Sequence, residues 1–323
     1  MSKTLSHKRL QSKINLIYIA SNSFSGSTLL DVLLGAHPEI MTVGEIQLLP
    51  WEIKLGGVDP CGCGLPVPEC PFWKAVLNEL GFNELKGTPI EFFRESHWGG
   101  KILRWKLLTK LLFKKDNRLN QQILEYGYNN YLLFKAVLSA ANRHLNKKPY
   151  WIVDASKDFY RMVYLKRSGY FNMKVIHLMK DPRNFVYTTI KGLLSRRSIG
   201  NYSPTILRKA IRMSGRWLVE NWLIDFFCKK EFKPDEIIKI KYESLAGNPE
   251  KTLKYICNFL EIKYTKEILE NFINYENHGI SGSEIRYERK DIYLDEKWRY
   301  HLPGGYKLLT HVITFPLQKT FGY

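Results

Sequence analysis

Cysteine is scarce in this chain, with five in 323 residues. That density is far below a disulfide scaffold and the number is odd. A chain of this length also buries a core without staples, so a reducing, cytoplasmic compartment is the expectation. Long apolar runs are missing too. The cleanest one near the start, Ile14 to Ala20, is broken by Asn15 and is far too short to cross a bilayer. Residues 1–13 are basic and polar but lack the apolar segment and cleavage site of a secretory signal. They read as a loose leader to a single domain over 14–323, since no repeat, low-complexity tract or Ser/Gly-rich linker divides the rest. Acidic residues are in deficit, 31 Asp and Glu against 49 Lys and Arg, which leaves a net charge of +18. Such an excess favours anionic partners without choosing among them.

What is present is the composition of a packed globular protein, 45% hydrophobic and 14% aromatic. Short β-branched runs at Leu16 to Ala20, Trp151 to Val153, Lys174 to Met179 and Ile237 to Ile240 read as buried strands. Helix starts are marked by Asp181-Pro182, Ser203-Pro204 and Asn248-Pro249, each an N-cap residue before a proline at the first helical position. Strands alternating with helices predict an α/β fold, a P-loop-like central parallel sheet flanked by helices on both faces. In such folds ligands sit outside the carboxyl ends of the strands. The basic run Lys101 to Arg118 spreads its apolar residues around a helical wheel, so it predicts a partly buried helix with snorkelling basic stems. Trp217, Leu218, Trp222, Ile224 and Phe227 are expected in the core of the long helix after Pro204.

Polar motifs cluster where the fold expects them. After the first strand, Ser21-Asn22-Ser23-Phe24-Ser25-Gly26-Ser27-Thr28 runs into a helical pattern. Gly26 permits close backbone approach, and the hydroxyls of Ser25, Ser27 and Thr28 add donors at the positive end of the helix. A nucleotide P-loop would place Gly at 21 and Lys at 27, where this chain has serines. After the third strand run comes Lys180-Asp181-Pro182-Arg183-Asn184-Phe185-Val186-Tyr187-Thr188. Lys180 stands at the strand tip and Thr188 about two helical turns on, so the pair can grip one phosphate.

Together these motifs resemble the sulfotransferase family that uses 3′-phosphoadenosine 5′-phosphosulfate (PAPS). Ser25-Gly26-Ser27-Thr28 is similar to that family's 5′-phosphosulfate loop, and Lys180 to Thr188 keeps the spacing of its 3′-phosphate motif. Further echoes are Ala36-His37-Pro38-Glu39 with Gly44-Glu45, Asp154-Ala155-Ser156-Lys157, Tyr242-Glu243-Ser244-Leu245 with Pro249, and Leu294-Asp295-Glu296-Lys297-Trp298. The resemblance implies a donor site completed by Leu29, Tyr242 and Arg286, with adenosine 3′,5′-bisphosphate as the product. It implies a hydroxyl acceptor, for which the basic charge suits an anionic molecule; a glycan, a tyrosine or other phenol, and a small alcohol all remain open. Phe24 stands where the family has a basic residue, and Lys157 is the candidate to replace its charge.

The acceptor hydroxyl needs a base. Glu45 resembles the Gly-Glu of tyrosine-protein and several bacterial sulfotransferases, and His97 is held in reserve. His37 is assigned to structure. Cys61-Gly62-Cys63 offers poor metal spacing, and with Cys70 no fourth ligand is evident, so no metal is expected. Two other readings stay open: a P-loop-type nucleotide kinase or NTPase, against which stands the missing P-loop lysine, and a basic nucleic-acid-binding module. The latter lacks a helix-turn-helix or zinc finger and would leave the paired phosphate motifs unused, so no nucleic-acid partner is expected. Oligomeric state is not readable.

Overall fold

All four predicted strands form, and alternation of their side chains decides how the sheet is covered. The computed structural model describes residues 12–54, 59–81, 103–113, 116–195, 203–288 and 291–323. Strands β1 (Ile14–Ser21), β2 (Ile40–Thr42), β3 (Trp151–Lys157), β4 (Phe171–Met179) and β5 (Ile237–Lys241) build one sheet in the order β2-β3-β1-β4-β5. Every pairing is parallel. The helices are α1 (Ser27–Gly35), α2 (Leu49–Lys54), α3 (Pro71–Leu80), α4 (Trp105–Phe113), α5 (Asn117–His144), α6 (Phe159–Ser168) and α7 (Pro182–Leu194). They continue with α8 (Pro204–Glu231), α9 (Tyr242–Gly247), α10 (Pro249–Leu260), α11 (Glu267–Asn271), α12 (Trp298–His301) and α13 (Gly304–Phe321).

Within β1, Leu16, Tyr18 and Ala20 enter a core with Phe134 and Val137 of α5 and Val163 of α6. Ile17 and Ile19 point the other way, into a core with Leu30 and Leu33 of α1 and Leu253 and Ile256 of α10. A period of two thus splits one strand between two helical layers, as a sheet covered on both faces requires. Each Leu or Ile so buried stabilises the fold by about 1.5–3 kcal/mol. A third cluster joins α7, α8 and α13 around Phe185, Trp217 and Phe321.

The three Pro-marked helix starts form as read. The side chain of Asp181 accepts from the N–H of Arg183, Ser203 from Ile206, and Asn248 from Lys251. Three readings need correction. Trp222 is 53% exposed and stacks on Phe226 instead of entering the core. The basic run is not one helix, because α4 ends at Phe113 and Asp116 caps α5 by accepting from Leu119 N–H. Within α4, Leu108 and Leu111 are buried while Trp105 and Phe113 face solvent. Finally, β3 runs beyond Val153 to Lys157 through an irregular register, Tyr18 facing Asp154 but Ala20 facing Lys157. The extra residue on β3 is a bulge, a device that re-aims a side chain at a sheet's end. Among the described residues no helix is long and apolar enough to cross a membrane.

Candidate active site

The carboxyl ends of β1, β4, β3 and β2 carry the candidate groups. After β1 the chain turns through Phe24 (φ 64°) and Gly26 (φ 83°), the latter forming the N-cap of α1. A Cβ at Gly26 would lie 2.4 Å from Cδ2 of Tyr242, so only glycine lets the loop close under that ring. Ser25 and Ser27 are buried, Thr28 is half-buried, and Leu29 anchors the loop in the core. The hydroxyl of Ser25 is buried with no hydrogen-bond partner among the described residues. A buried donor left unpaired at a helix start fits an anionic ligand. Thr28 Oγ1 accepts from the N–H of Ser283, tying the loop to the segment after α11.

At the tip of β4, Lys180 and Thr188 meet as their spacing predicts, with Nζ donating to Oγ1 at 3.4 Å. Lys180 is buried, its carbonyl is held by the indole N–H of Trp217, and its ammonium lies 4.6 Å over the ring of Tyr242. Burial pulls its pKa down to about 8, with Glu243 and Asp295 acting in the opposite direction. A buried cation whose charge is opposed chiefly by desolvation is suited to an anionic ligand. The last echo motif closes this corner: Asn184 donates to the carbonyl of Asp295, and Arg183 stacks 4.7 Å over Trp298 while pairing with Asp181.

At the tips of β2 and β3, Glu45 and Lys157 form a buried ion pair. Lys157 adopts φ 69°, an unfavourable conformation for a side chain bearing a Cβ, at the end of the bulged strand. Glu45 is fixed through its backbone, whose N–H donates to the carbonyl of Ile280 at 2.7 Å. Ser156 is clasped by Gln47, which donates its backbone N–H to Oγ and its side-chain amide to the carbonyl. Beneath lies a second buried pair, Arg161 with Asp154 at 2.8 Å, extended by Arg161 donating to Tyr126 Oη at 2.5 Å.

His97 lies outside the described residues. The guanidinium of Arg286 is turned to the carbonyls of Pro60, Gly282 and Ser283, so here it braces the loop that touches Thr28. His37 is structural as read, joining Lys263 O at 2.9 Å and accepting from the N–H of Glu39. Sequence reasoning missed Asp31, buried on α1 behind Glu45, whose carboxyl is raised well above the usual range by burial and then by Asp154. It also missed His278, which arrives beside Cys61 and Cys70 from more than two hundred residues downstream. No local spacing could have announced either.

A five-stranded parallel sheet with a hydroxyl-rich loop after β1 and a lysine–threonine pair after β4 is a P-loop-like α/β protein with polar groups gathered at two strand tips. Comparison narrows the class. Residues 112–266 match the family model described as "Sulfotransferase family". That stretch contains Lys157, Lys180, Thr188 and Tyr242; the Ser25–Thr28 loop and Glu45 precede it. A Caenorhabditis briggsae protein named "Putative protein-tyrosine sulfotransferase" is 20% identical over 275 residues, 84% of this chain and 71% of its own length. An uncharacterized Aquifex aeolicus (strain VF5) protein is 24% identical over 316 residues, 94% of this chain but 32% of that protein, so the chain spans about a third of it. The sulfotransferase domain of the Synechococcus PCC 7002 olefin synthase is similar in fold, with a TM-score of 0.53 at 19% identity and 98% of both chains covered. The sulfotransferase domain of the curacin biosynthetic pathway gives 0.51 at 21% identity, covering 94% of this chain and 98% of that one. The resemblance read from the motifs recurs in these comparisons: part of the chain matches the sulfotransferase family model and is similar in sequence to a protein named as a putative sulfotransferase, and its fold is similar to that of sulfotransferase domains.

Proposed function

We propose that the chain transfers a sulfuryl group from PAPS to a hydroxyl acceptor. The observation that carries this reading is Tyr242. Its ring packs on Gly26 of one loop and lies under Lys180 of the other, so the two loops read as phosphate-binding meet at one aromatic ring. That spacing of functions suits a nucleoside with phosphate groups on opposite sides of its ribose. The unpaired hydroxyl of Ser25 and the buried ammonium of Lys180 fit such a donor as they stand.

PAPS supplies an activated sulfur on a phosphate leaving group. The O–S bond to the acceptor forms as the S–O bond to phosphate breaks, and the acceptor's proton must go elsewhere. Glu45 is the base that takes it, and Lys157 steadies the charge that grows on the bridging oxygen. The amides and hydroxyls from Ser25 to Thr28 orient the 5′ side, while Lys180 and Thr188 hold the 3′-phosphate. Without donor, the Lys157 ammonium holds the Glu45 carboxylate in place through their ion pair.

The acceptor class is argued from charge and from one relative. A net charge of +18 favours an anionic acceptor, and the name of the C. briggsae relative points to a tyrosine hydroxyl. Adenosine 3′,5′-bisphosphate should raise the melting temperature by linkage more than ATP with magnesium does. Pooled glycans, phenols and acidic tyrosine peptides incubated with PAPS are then screened for the mass gain of one sulfuryl unit. A larger shift with ATP and a strict magnesium requirement would replace this reading with the nucleotide-kinase one.

A further inference from the structure

Four metal-ligating side chains that sulfuryl transfer does not use converge behind Glu45. The ligand atoms of Cys61, Cys63, Cys70 and His278 all lie within 4.8 Å of one another. Sγ of Cys63 and Sγ of Cys70 are 3.7 Å apart; Nδ1 of His278 is 3.7 Å from Sγ of Cys61 and 3.3 Å from Sγ of Cys70. Tetrahedral zinc, with bonds of about 2.3 Å to sulfur and about 2.0 Å to nitrogen, sets ligand–ligand edges of roughly 3.5–3.8 Å. The three edges fall at or close to that range, and the sulfurs stand too far apart for a disulfide, whose bond is about 2.05 Å.

We propose that Cys61, Cys63, Cys70 and His278 form a structural Cys3His zinc site. The surroundings are those of ligands already oriented. The other ring nitrogen of His278, Nε2, faces Oε1 of Glu276 at 2.9 Å, the carboxylate backing that fixes a ligating imidazole's tautomer. Phe72 stacks on the same ring at 4.6 Å, and Trp73 Nε1 donates to the carbonyl of His278. The turn 61–65 is closed by Cys61 N–H to Leu65 O at 2.7 Å and Gly64 N–H to Cys61 O at 2.8 Å. Cys70 itself sits at the N-cap of α3. Only Cys63 is exposed, which gives an ion a way in. Four protein ligands leave no open position, so the metal acts on structure and not on the transferred group. Binding expels the three thiol protons to solvent.

The site would clamp two neighbouring stretches, the 61–63 turn and the start of α3, to the segment around His278 more than two hundred residues downstream. Gly62 N–H donates to Gly279 O, Ile280 N–H to Val43 O, and Glu45 N–H to Ile280 O. The metal therefore lies one peptide segment away from the backbone that fixes Glu45, and the same segment runs on to Ser283 at the Thr28 hydroxyl.

The test is metal analysis of the full chain purified with its thiols reduced and without chelator. About one equivalent of zinc per chain is expected. Cobalt(II) added to chain stripped of metal should give the visible bands of a tetrahedral ion and a thiolate charge-transfer band. His278→Cys should retain zinc and strengthen that band as a fourth thiolate joins, whereas the Cys63→Ser/His278→Ala double variant should bind neither ion. If the variants fail to fold, the wild-type cobalt spectrum alone decides. Wild-type chain that holds no zinc and gives no tetrahedral cobalt spectrum overturns the site, as does full metal occupancy in the double variant. Because these readouts need no donor or acceptor, their failure is separate from failure of the sulfuryl-transfer reading.

Discussion

The ammonium of Lys157 and the carboxylate of Glu45 are joined between the carboxyl ends of two neighbouring parallel strands, both side chains nearly closed to solvent. Such a pair is costly to bury, and stability alone is a weak reason to keep it. In the proposed mechanism its worth lies in poising a base and a cation together. Glu45→Gln keeps an oxygen for Lys157 but cannot take a proton, so turnover should fall by about 10²–10⁴-fold. The melting temperature should fall as well, since a buried hydrogen bond to a charged group is weakened by roughly 1.5–3 kcal/mol. Bisphosphate affinity should stay within a few-fold of wild type. The double variant Glu45→Gln/Lys157→Met should regain part of the lost stability without regaining turnover. Normal turnover in Glu45→Gln would make the carboxylate a bystander.

Lys180 gives the pH dependence. Its pKa lies near 8 because it is buried, below the ordinary lysine value of 10.5. A bound phosphate favours the charged form and raises that pKa, so above pH 8 binding must take up a proton. Affinity for adenosine 3′,5′-bisphosphate, whose phosphates are fully charged above about pH 7, should therefore be level between about pH 7 and 8 and weaken above that, by up to about tenfold per pH unit. Titration calorimetry in buffers of different ionisation heat measures the proton directly. Lys180→Arg, always charged, should flatten the profile, and Lys180→Ala should weaken the bisphosphate by roughly 1.5–3 kcal/mol while sparing adenosine 5′-phosphosulfate. An unchanged profile in Lys180→Arg would remove Lys180 from the phosphate site.

Much of this was legible because the signals are local. Proline after a capping residue announced α7, α8 and α10, and the eight-residue spacing that joins Lys180 to Thr188 is two turns of one helix. Strand β2 went unread because three residues carry no alternation. Trp222 was misplaced for a reason the helical wheel contains, since five residues after Trp217 the chain has rotated about 140° to the other face. The bulge that bends β3 at Lys157 and the loop that delivers His278 to the cysteines depend on contacts across the fold, and no window of sequence holds them.

The fully buried pair of Arg161 and Asp154 supports the strand that ends in Lys157. Asp154 accepts twice, from Arg161 at 2.8 Å and from the N–H of Ser156 at 2.9 Å. Asp154→Asn removes the counter-charge from a guanidinium with no solvent contact, and equilibrium urea unfolding should show a loss of about 3–5 kcal/mol. A loss below about 1 kcal/mol, the level of a surface pair, would mean that the guanidinium is compensated elsewhere.

Gly26 and Tyr242 test the donor loop from its backbone. The left-handed conformation at Gly26 costs an alanine about 1–2 kcal/mol, and its methyl group would also stand 2.4 Å from Tyr242 Cδ2. Gly26→Ala should therefore lower stability by more than the backbone cost and weaken bisphosphate binding, because the ring must leave its place between the loop and Lys180. In a Tyr242→Ala background the clash is gone. The same glycine substitution should then cost only the backbone share, which thermal unfolding of the four proteins in the cycle resolves. Equal costs in both backgrounds would show that the ring does not close on the loop and that Tyr242 does not link the two proposed phosphate sites.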